Sequence, residues 1–102
     1  MPNHPVLSKL SIARRANLLS VGTEKVTEAI KAKKAQLIII ASDISPKTEK
    51  ELKFLAKEKL EVMRINVDLM TMSAAIGIKA GIVAVLDGGL AESIRKVGML
   101  ND

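Results

Sequence analysis

The sequence predicts an α/β fold, a three-layer α/β/α sandwich around a small mixed sheet, and three observations predict it. First, short apolar runs without a helical period, Leu37-Ile38-Ile39-Ile40-Ala41 and Ile82-Val83-Ala84-Val85-Leu86, recur along the chain, with a less clean alternation over residues 61–67 between them. Runs that are apolar at successive positions bury both faces, as strands do when helices cover a sheet on both sides. Second, the segments between these runs place apolar side chains at helical spacing, so helices alternate with strands. Third, 102 residues with no internal repeat, low-complexity stretch or linker provide for one core, so residues 1–102 are expected to form a single domain.

Each element has its own local signal. Residues 6–17 carry Leu7, Leu10 and Ala13 on one helical stripe, with Ser11, Arg14 and Arg15 off it. Residues 18–21 leave room for a short strand before Gly22. Thr23 is expected to cap a second helix running to about Lys34, with Val26, Ala29 and Ile30 inward. After the 37–41 strand, Ser45-Pro46 marks a helix start, a capping hydroxyl followed by proline at the first helical position. Glu49 and Glu51 near its beginning and Lys57 and Lys59 near its end match the helix dipole, and Leu52, Leu55 and Ala56 form its inner stripe. Residues 61–67, with Val62, Ile65 and Val67, read as the next strand. Asp68 can cap a short helix through Ile76. The 82–86 strand follows, and Asp87-Gly88-Gly89 opens a last helix with Leu90, Ile94 and Val97 inward.

Composition narrows the function. Hydrophobic residues make up 48% of the chain and charged residues 26%, a globular balance rather than a disordered one. Phe54 is the one aromatic residue, so the core is aliphatic. Single-stranded nucleic-acid binders of the OB or RRM type stack bases on several aromatic rings, and that mode is excluded. Sixteen Lys and Arg against eleven Asp and Glu leave a net charge of +5, compatible with a polyanionic partner without demanding one. The absence of cysteine excludes disulfides, thiolate chemistry and Cys-ligated zinc. No segment reaches the roughly 18 apolar residues of a membrane span. Residues 1–11, with one lysine and no long apolar core, do not read as a signal peptide, so the expected address is the cytoplasm, with no membrane partner.

Catalytic readings are weak. Asp43, Asp68 and Asp87 each follow a predicted strand end, where an acidic magnesium or phosphoryl site could lie. The competing reading is that they cap helices or turns, and no Gly-rich phosphate loop accompanies them. His4, beside Pro2 and Pro5, is expected in a frayed terminus and lacks partners for a triad or metal cluster. Met63, Met70, Met72 and Met99 read as core filler, Gly88-Gly89 as a turn, and Lys31-Ala32-Lys33-Lys34 as a solvated helix end. No enzyme activity, metal or cofactor is expected.

Two stretches carry more when read together. The first is Leu10-Ser11-Ile12-Ala13-Arg14-Arg15-Ala16, then Gly22-Thr23-Glu24-Lys25-Val26-Thr27-Glu28-Ala29-Ile30, leading into the 37–41 strand and Asp43. The second is Met72-Ser73-Ala74-Ala75-Ile76-Gly77-Ile78-Lys79-Ala80-Gly81, leading into the 82–86 strand. In this order they resemble the kink-turn-binding ribosomal protein family, whose members include archaeal ribosomal and box C/D kink-turn binders, eukaryotic large-subunit relatives and small bacterial forms. The resemblance extends from about Val6 to Val97, and Ala13-Arg14-Arg15-Ala16 is most like the small bacterial members.

The resemblance implies an α/β/α sandwich that grips a sharply bent RNA, such as a kink-turn, and that is ribosome-associated and monomeric. In the family, the helix opening at the glycine enters the major groove and its first turns contact tandem sheared G·A pairs, while a hydrophobic loop covers a flipped-out base. Carried over here, the helix begins at Gly22-Thr23, with Glu24, Lys25, Glu28 and Lys31 along it, and the loop is Gly77-Ile78-Lys79-Ala80. Ile78 and Ala80 are expected to pack on the base, and Arg14, Arg15, Lys25, Lys31, Lys33 and Lys34 to neutralise phosphate. Three contact positions depart from the family's Gly-Thr-Asn-Glu pattern and its later lysine: Glu24 replaces the amide, Lys25 the acid, and Glu28 the lysine. An ionised Glu24 can only accept, whereas an asparagine also donates. Altered specificity is therefore expected, and the alternative is a protein-interaction module on the same fold that has lost specific RNA affinity.

Overall fold

The computed structural model describes residues 4–101, with side chains through Gly98. Its elements, in order, are α1 (Pro5–Arg15), β1 (Leu19–Val21), α2 (Thr23–Lys31), β2 (Leu37–Ile40), α3 (Pro46–Ala56) with a 3₁₀ turn (Lys57–Lys59), β3 (Val62–Arg64), α4 (Leu69–Ile76), β4 (Ile82–Val85) and α5 (Gly88–Asn101). The four strands form one sheet in the order β1-β4-β2-β3. β2 runs parallel to β3, whereas β4 runs antiparallel to both β1 and β2. The sheet is therefore mixed.

The central strands are buried along their full length because each face meets a helical layer. Successive strand residues point to opposite faces, and β2 divides accordingly. Leu37, Ile39 and Ala41 pack with Val6, Leu7 and Leu10 of α1, Met72 and Ile76 of α4, and Ile94 of α5. Ile38 and Ile40 pack on the other side with Val26 and Ala29 of α2 and Leu52 of α3. Two helices on one face and three on the other give the three layers. Among the described residues no helix is long and apolar enough to cross a membrane.

Several boundaries differ from the sequence reading, each for a local reason. His4 is not frayed: it is the N-cap of α1, its Nδ1 accepting from the Val6 N–H at 3.2 Å. α2 stops at Lys31 rather than Lys34, because Lys33 turns the chain at φ 60° and backs onto the Ile30 carbonyl. β3 is three residues long at the sheet edge, with Ile65 and Val67 beyond it still buried. Leu55 is only half-buried, and Met70 is 71% exposed rather than core filler, whereas Met72 is fully buried. The Met99 side chain lies outside the described residues.

The three aspartates are caps. Asp68 Oδ1 accepts from the Thr71 N–H at 2.8 Å, and Asp87 Oδ2 from the Leu90 N–H at 2.8 Å. Asp43 reaches across to α4 rather than capping α3, accepting from the Leu69 N–H at 2.9 Å. Hydrogen bonds from the Thr71 hydroxyl and N–H hold the Asp68 carboxyl below its ordinary range. Among the described residues no group of His, Asp and Glu could hold a metal ion.

Candidate nucleic-acid interface

Gly22–Lys25 and Gly77–Lys79 are 52 or more positions apart in the sequence, and antiparallel pairing of β1 with β4 brings them together. Val21 pairs with Val83, and one step further the Gly22 N–H donates to the Ile82 carbonyl at 2.9 Å. Gly22, the start of α2, thereby lies beside the residues that end the α4–β4 loop. Ala41, at the end of β2, joins them through its N–H to the Gly81 carbonyl at 2.8 Å.

Gly22 is the N-cap of α2, correcting the assignment of that role to Thr23, which is the first helical residue. Its φ of 94° and ψ of 156° belong to a region that only glycine enters without strain, and a Cβ there would meet nothing within 4 Å. With no side-chain cap, the first-turn N–H groups of α2 stay open to an acceptor from outside. Thr27 Oγ1 donates to the Thr23 carbonyl at 2.8 Å, and the Thr23 side chain is exposed. Glu24, Lys25, Glu28 and Lys31 are all exposed on the outer face of α2. That face carries two carboxylates against two ammonium groups and is electroneutral.

The facing loop is held from three sides. Gly77 ends α4 in the left-handed region at φ 80°, its N–H on the Ser73 carbonyl at 2.9 Å. Ser73 Oγ accepts from the Ala80 N–H at 2.9 Å and donates to the Leu69 carbonyl at 2.7 Å. Arg14 Nη1 donates to the Ile76 carbonyl at 2.6 Å. What this frame presents is Ile78, 44% exposed, with the exposed Lys79 beside it. Ala80 is buried in the core and cannot offer its methyl group to a base. Arg14 spends part of its fork on the protein itself, while Arg15 is exposed and has no partner among the described residues.

Sequence reasoning missed Ser73, whose role needs a partner seven residues away in a non-helical loop. It also missed Arg64, which donates to the Ala41, Ser42 and Ile44 carbonyls at 3.2, 2.8 and 2.8 Å and to Glu49 Oε1 at 2.7 Å. Arg64 thereby fixes the β2–α3 loop bordering the same end of the sheet.

The model of the ribosomal protein L7Ae/L30e/S12e/Gadd45 family matches residues 5–94. The chain belongs to this family. It is 30% identical over 90 residues to the large ribosomal subunit protein eL8 of Haloquadratum walsbyi, covering 85% of this chain and 75% of that protein. Among solved structures, a Bacillus halodurans protein described as of unknown function superposes with a TM-score of 0.85 at 26% identity, covering 93% of this chain and 97% of the other. The 15.5kD RNA binding protein of Giardia lamblia has the same fold at a TM-score of 0.73 and 18% identity, covering 98% and 93% of the two chains. As a member of the L7Ae/L30e family the chain is no enzyme.

Within this family frame, Gly22, Thr23, Glu24 and Lys25 share one end of the molecule with Gly77, Ile78 and Lys79. Lys31 does not join them. It lies at the far end of α2, roughly 13 Å along the axis at 1.5 Å per residue, beside Lys33, Lys57 and Lys59.

Proposed function

We propose that this L7Ae-family protein works as one structured-RNA-binding domain, ribosome-associated in the cytoplasm, and recognises a kink-turn or related bent element with altered specificity. The observation that carries the reading is the juxtaposition of the uncapped α2 N-terminus with the loop presenting Ile78 and Lys79, clamped by the Gly22–Ile82 hydrogen bond. Open N–H groups suit phosphate oxygens, and an exposed aliphatic side chain beside them suits an unstacked base. Lys25, Lys79 and Arg15 add charge for the backbone. Glu24 can accept from guanine or cytosine amino groups, which gives the altered face a base preference of its own. The eL8 relative is a ribosomal protein and the Giardia neighbour an RNA-binding one, both in keeping with this reading. The chain is proposed to act as a monomer.

The test is binding to a kink-turn RNA beside a matched RNA with its tandem G·A pairs mutated, at low and moderate salt. Selective binding to the intact element is expected. Lys25→Ala and Lys79→Ala should each weaken it and flatten the salt slope by about one unit per lost phosphate contact. Equal binding to both RNAs, collapsing with salt, would leave only nonspecific attraction. Binding to neither would favour the protein-interaction alternative, for which the electroneutral face of α2 speaks.

A further inference from the structure

The chain's excess of positive charge is not concentrated on the face just described. Between the C-terminal ends of α2 and α3 runs a groove of about 850 Å³, walled by Lys31 and Lys33 on one side and Lys57 and Lys59 on the other. Glu58 is the one carboxylate along it, so four ammonium groups face one acid. None of the four lysines forms an ion pair with a described residue, whereas Lys53, Arg64 and Arg95 do. The negative poles of the two helix ends, roughly half a charge each, offset this charge only in part. The carbonyls of Glu28, Ala29 and Ile30 already accept from the N–H groups of Ala32, Lys34 and Lys33, and that of Lys53 from Lys57. Lys33 and Lys57 both turn the chain at positive φ, 60° and 58°, which sets their side chains at the ends of their helices.

On the rim stands Phe54, 82% exposed. The only phenyl ring of the protein is outside its core, between this groove and a smaller depression lined by Lys47, Lys50 and Glu51. Single exposed apolar residues are ordinary. An exposed ring continuous with the apolar residues Ile30, Ala35 and Leu60, and bracketed by lysines, is an arrangement by which proteins hold single-stranded nucleic acid.

We propose that this groove is a second RNA contact that takes a short single-stranded segment, with one base stacked on Phe54 and the flanking phosphates on Lys31, Lys33, Lys57 and Lys59. The inference rests on the RNA-binding reading for its choice of polyanion, and deepens it. One ring holds one base, so the segment is a short flank of the structured element rather than a long strand. The site lies at the opposite end of α2 from Gly22, which lets one RNA contact both ends of that helix.

The test measures anisotropy of a labelled oligoadenylate decamer with the full chain, beside a blunt-ended kink-turn RNA. Phe54→Ala should weaken decamer binding about tenfold, the scale of one stacked base, and Phe54→Tyr should retain it. The ring is exposed, so the fold is untouched. Lys33→Asn with Lys59→Gln should lower the salt slope by about 1.4, at ~0.7 per phosphate on a single strand. Lys25→Ala should leave the decamer unaffected, and Phe54→Ala should leave the blunt RNA unaffected. Decamer binding that depends on Phe54 while the kink-turn RNA is ignored would sink the function proposed above and keep this groove. A decamer that is not bound, is bound equally by Phe54→Ala, or is displaced equally well by polyglutamate would overturn the groove as an RNA site.

Discussion

Arg14 and Ile76, 62 positions apart, are joined by a hydrogen bond of 2.6 Å from the guanidinium Nη1 to the carbonyl that ends α4. The C-terminal carbonyls of a helix lack intrahelical partners and carry its negative pole, so a guanidinium suits this position on both counts. Through it, α1 sets the take-off angle of the loop presenting Ile78.

Arg14→Met, which keeps the stem and removes the donor, should cost about 1–2 kcal/mol in chemical denaturation. RNA affinity should fall with it while the salt slope stays unchanged, because a positioning contact is lost rather than a phosphate contact. Arg15→Ala is expected to do the reverse, with stability kept and the slope reduced by about 0.9. A drop in slope for Arg14→Met would reassign it to the phosphate backbone.

Ser73→Ala removes the acceptor of the Ala80 N–H and leaves that half-buried donor without a partner. A loss of about 1–2 kcal/mol is expected, with faster amide exchange at Ala80 than at Gly77, whose N–H bonds to the backbone instead. Unchanged exchange at Ala80 would mean that the loop holds its shape without the hydroxyl.

Gly22→Ala places a Cβ in open space but in a glycine-only conformation, so its penalty, about 1–3 kcal/mol, is purely conformational. Gly88→Ala is the control. A Cβ there meets only Gln36 Oε1 at 3.8 Å in an ordinary helical setting, and thermal melts should show no loss.

The contrast between these residues explains what could be read from sequence. Strands β2 and β4 were legible because burial on both faces leaves no polar position, and Ser45-Pro46 because a cap followed by proline has few other uses. The pairing of Gly22–Lys25 with Gly77–Lys79 was legible only through family resemblance, since strand order has no local signature. Arg64 and Ser73 were invisible, as their partners are backbone carbonyls and an N–H whose positions exist only once the loops are built. Lys31 was counted with the phosphate-neutralising cations for its charge, and the length of α2 puts it at the other end of the helix from Gly22. Ala80 was expected at the base through the family resemblance, and its burial shows only in the fold.

Glu49 gives a pH dependence of definite sign. The hydrogen bond from Arg64, aided by Lys53, holds its carboxyl below the ordinary value of 4.5 against a smaller opposing effect of burial. A carboxyl with a depressed folded-state value contributes stability that is fully present above the unfolded value and is lost as pH falls through the folded one. Stability should therefore decline below about pH 4.5, and Glu49→Gln should flatten that part of the curve while lowering the neutral plateau. An unchanged acid limb in the variant would show that Arg64 is held by its three carbonyls alone.

The charge pattern of α2 yields the sharpest test of specificity. Glu24 and Glu28 are one turn apart on the exposed face, so their repulsion of phosphate acts together, and Lys25 between them offsets only one. Replacing Glu24→Asn, Lys25→Glu and Glu28→Lys restores the amide, acid and lysine that the family places at these positions, without touching the core residues Val26 and Ala29. The triple variant changes the summed charge of the three residues from −1 to 0, too little for electrostatics alone to raise affinity much. A gain of about tenfold or more for the intact kink-turn over its G·A-mutated partner, worth ~1.4 kcal/mol, would therefore come from base-edge contacts. Equal gains on both RNAs would instead place the whole effect in the lost repulsion, and the natural Glu24 and Glu28 would then act as a brake on affinity rather than as a change of target.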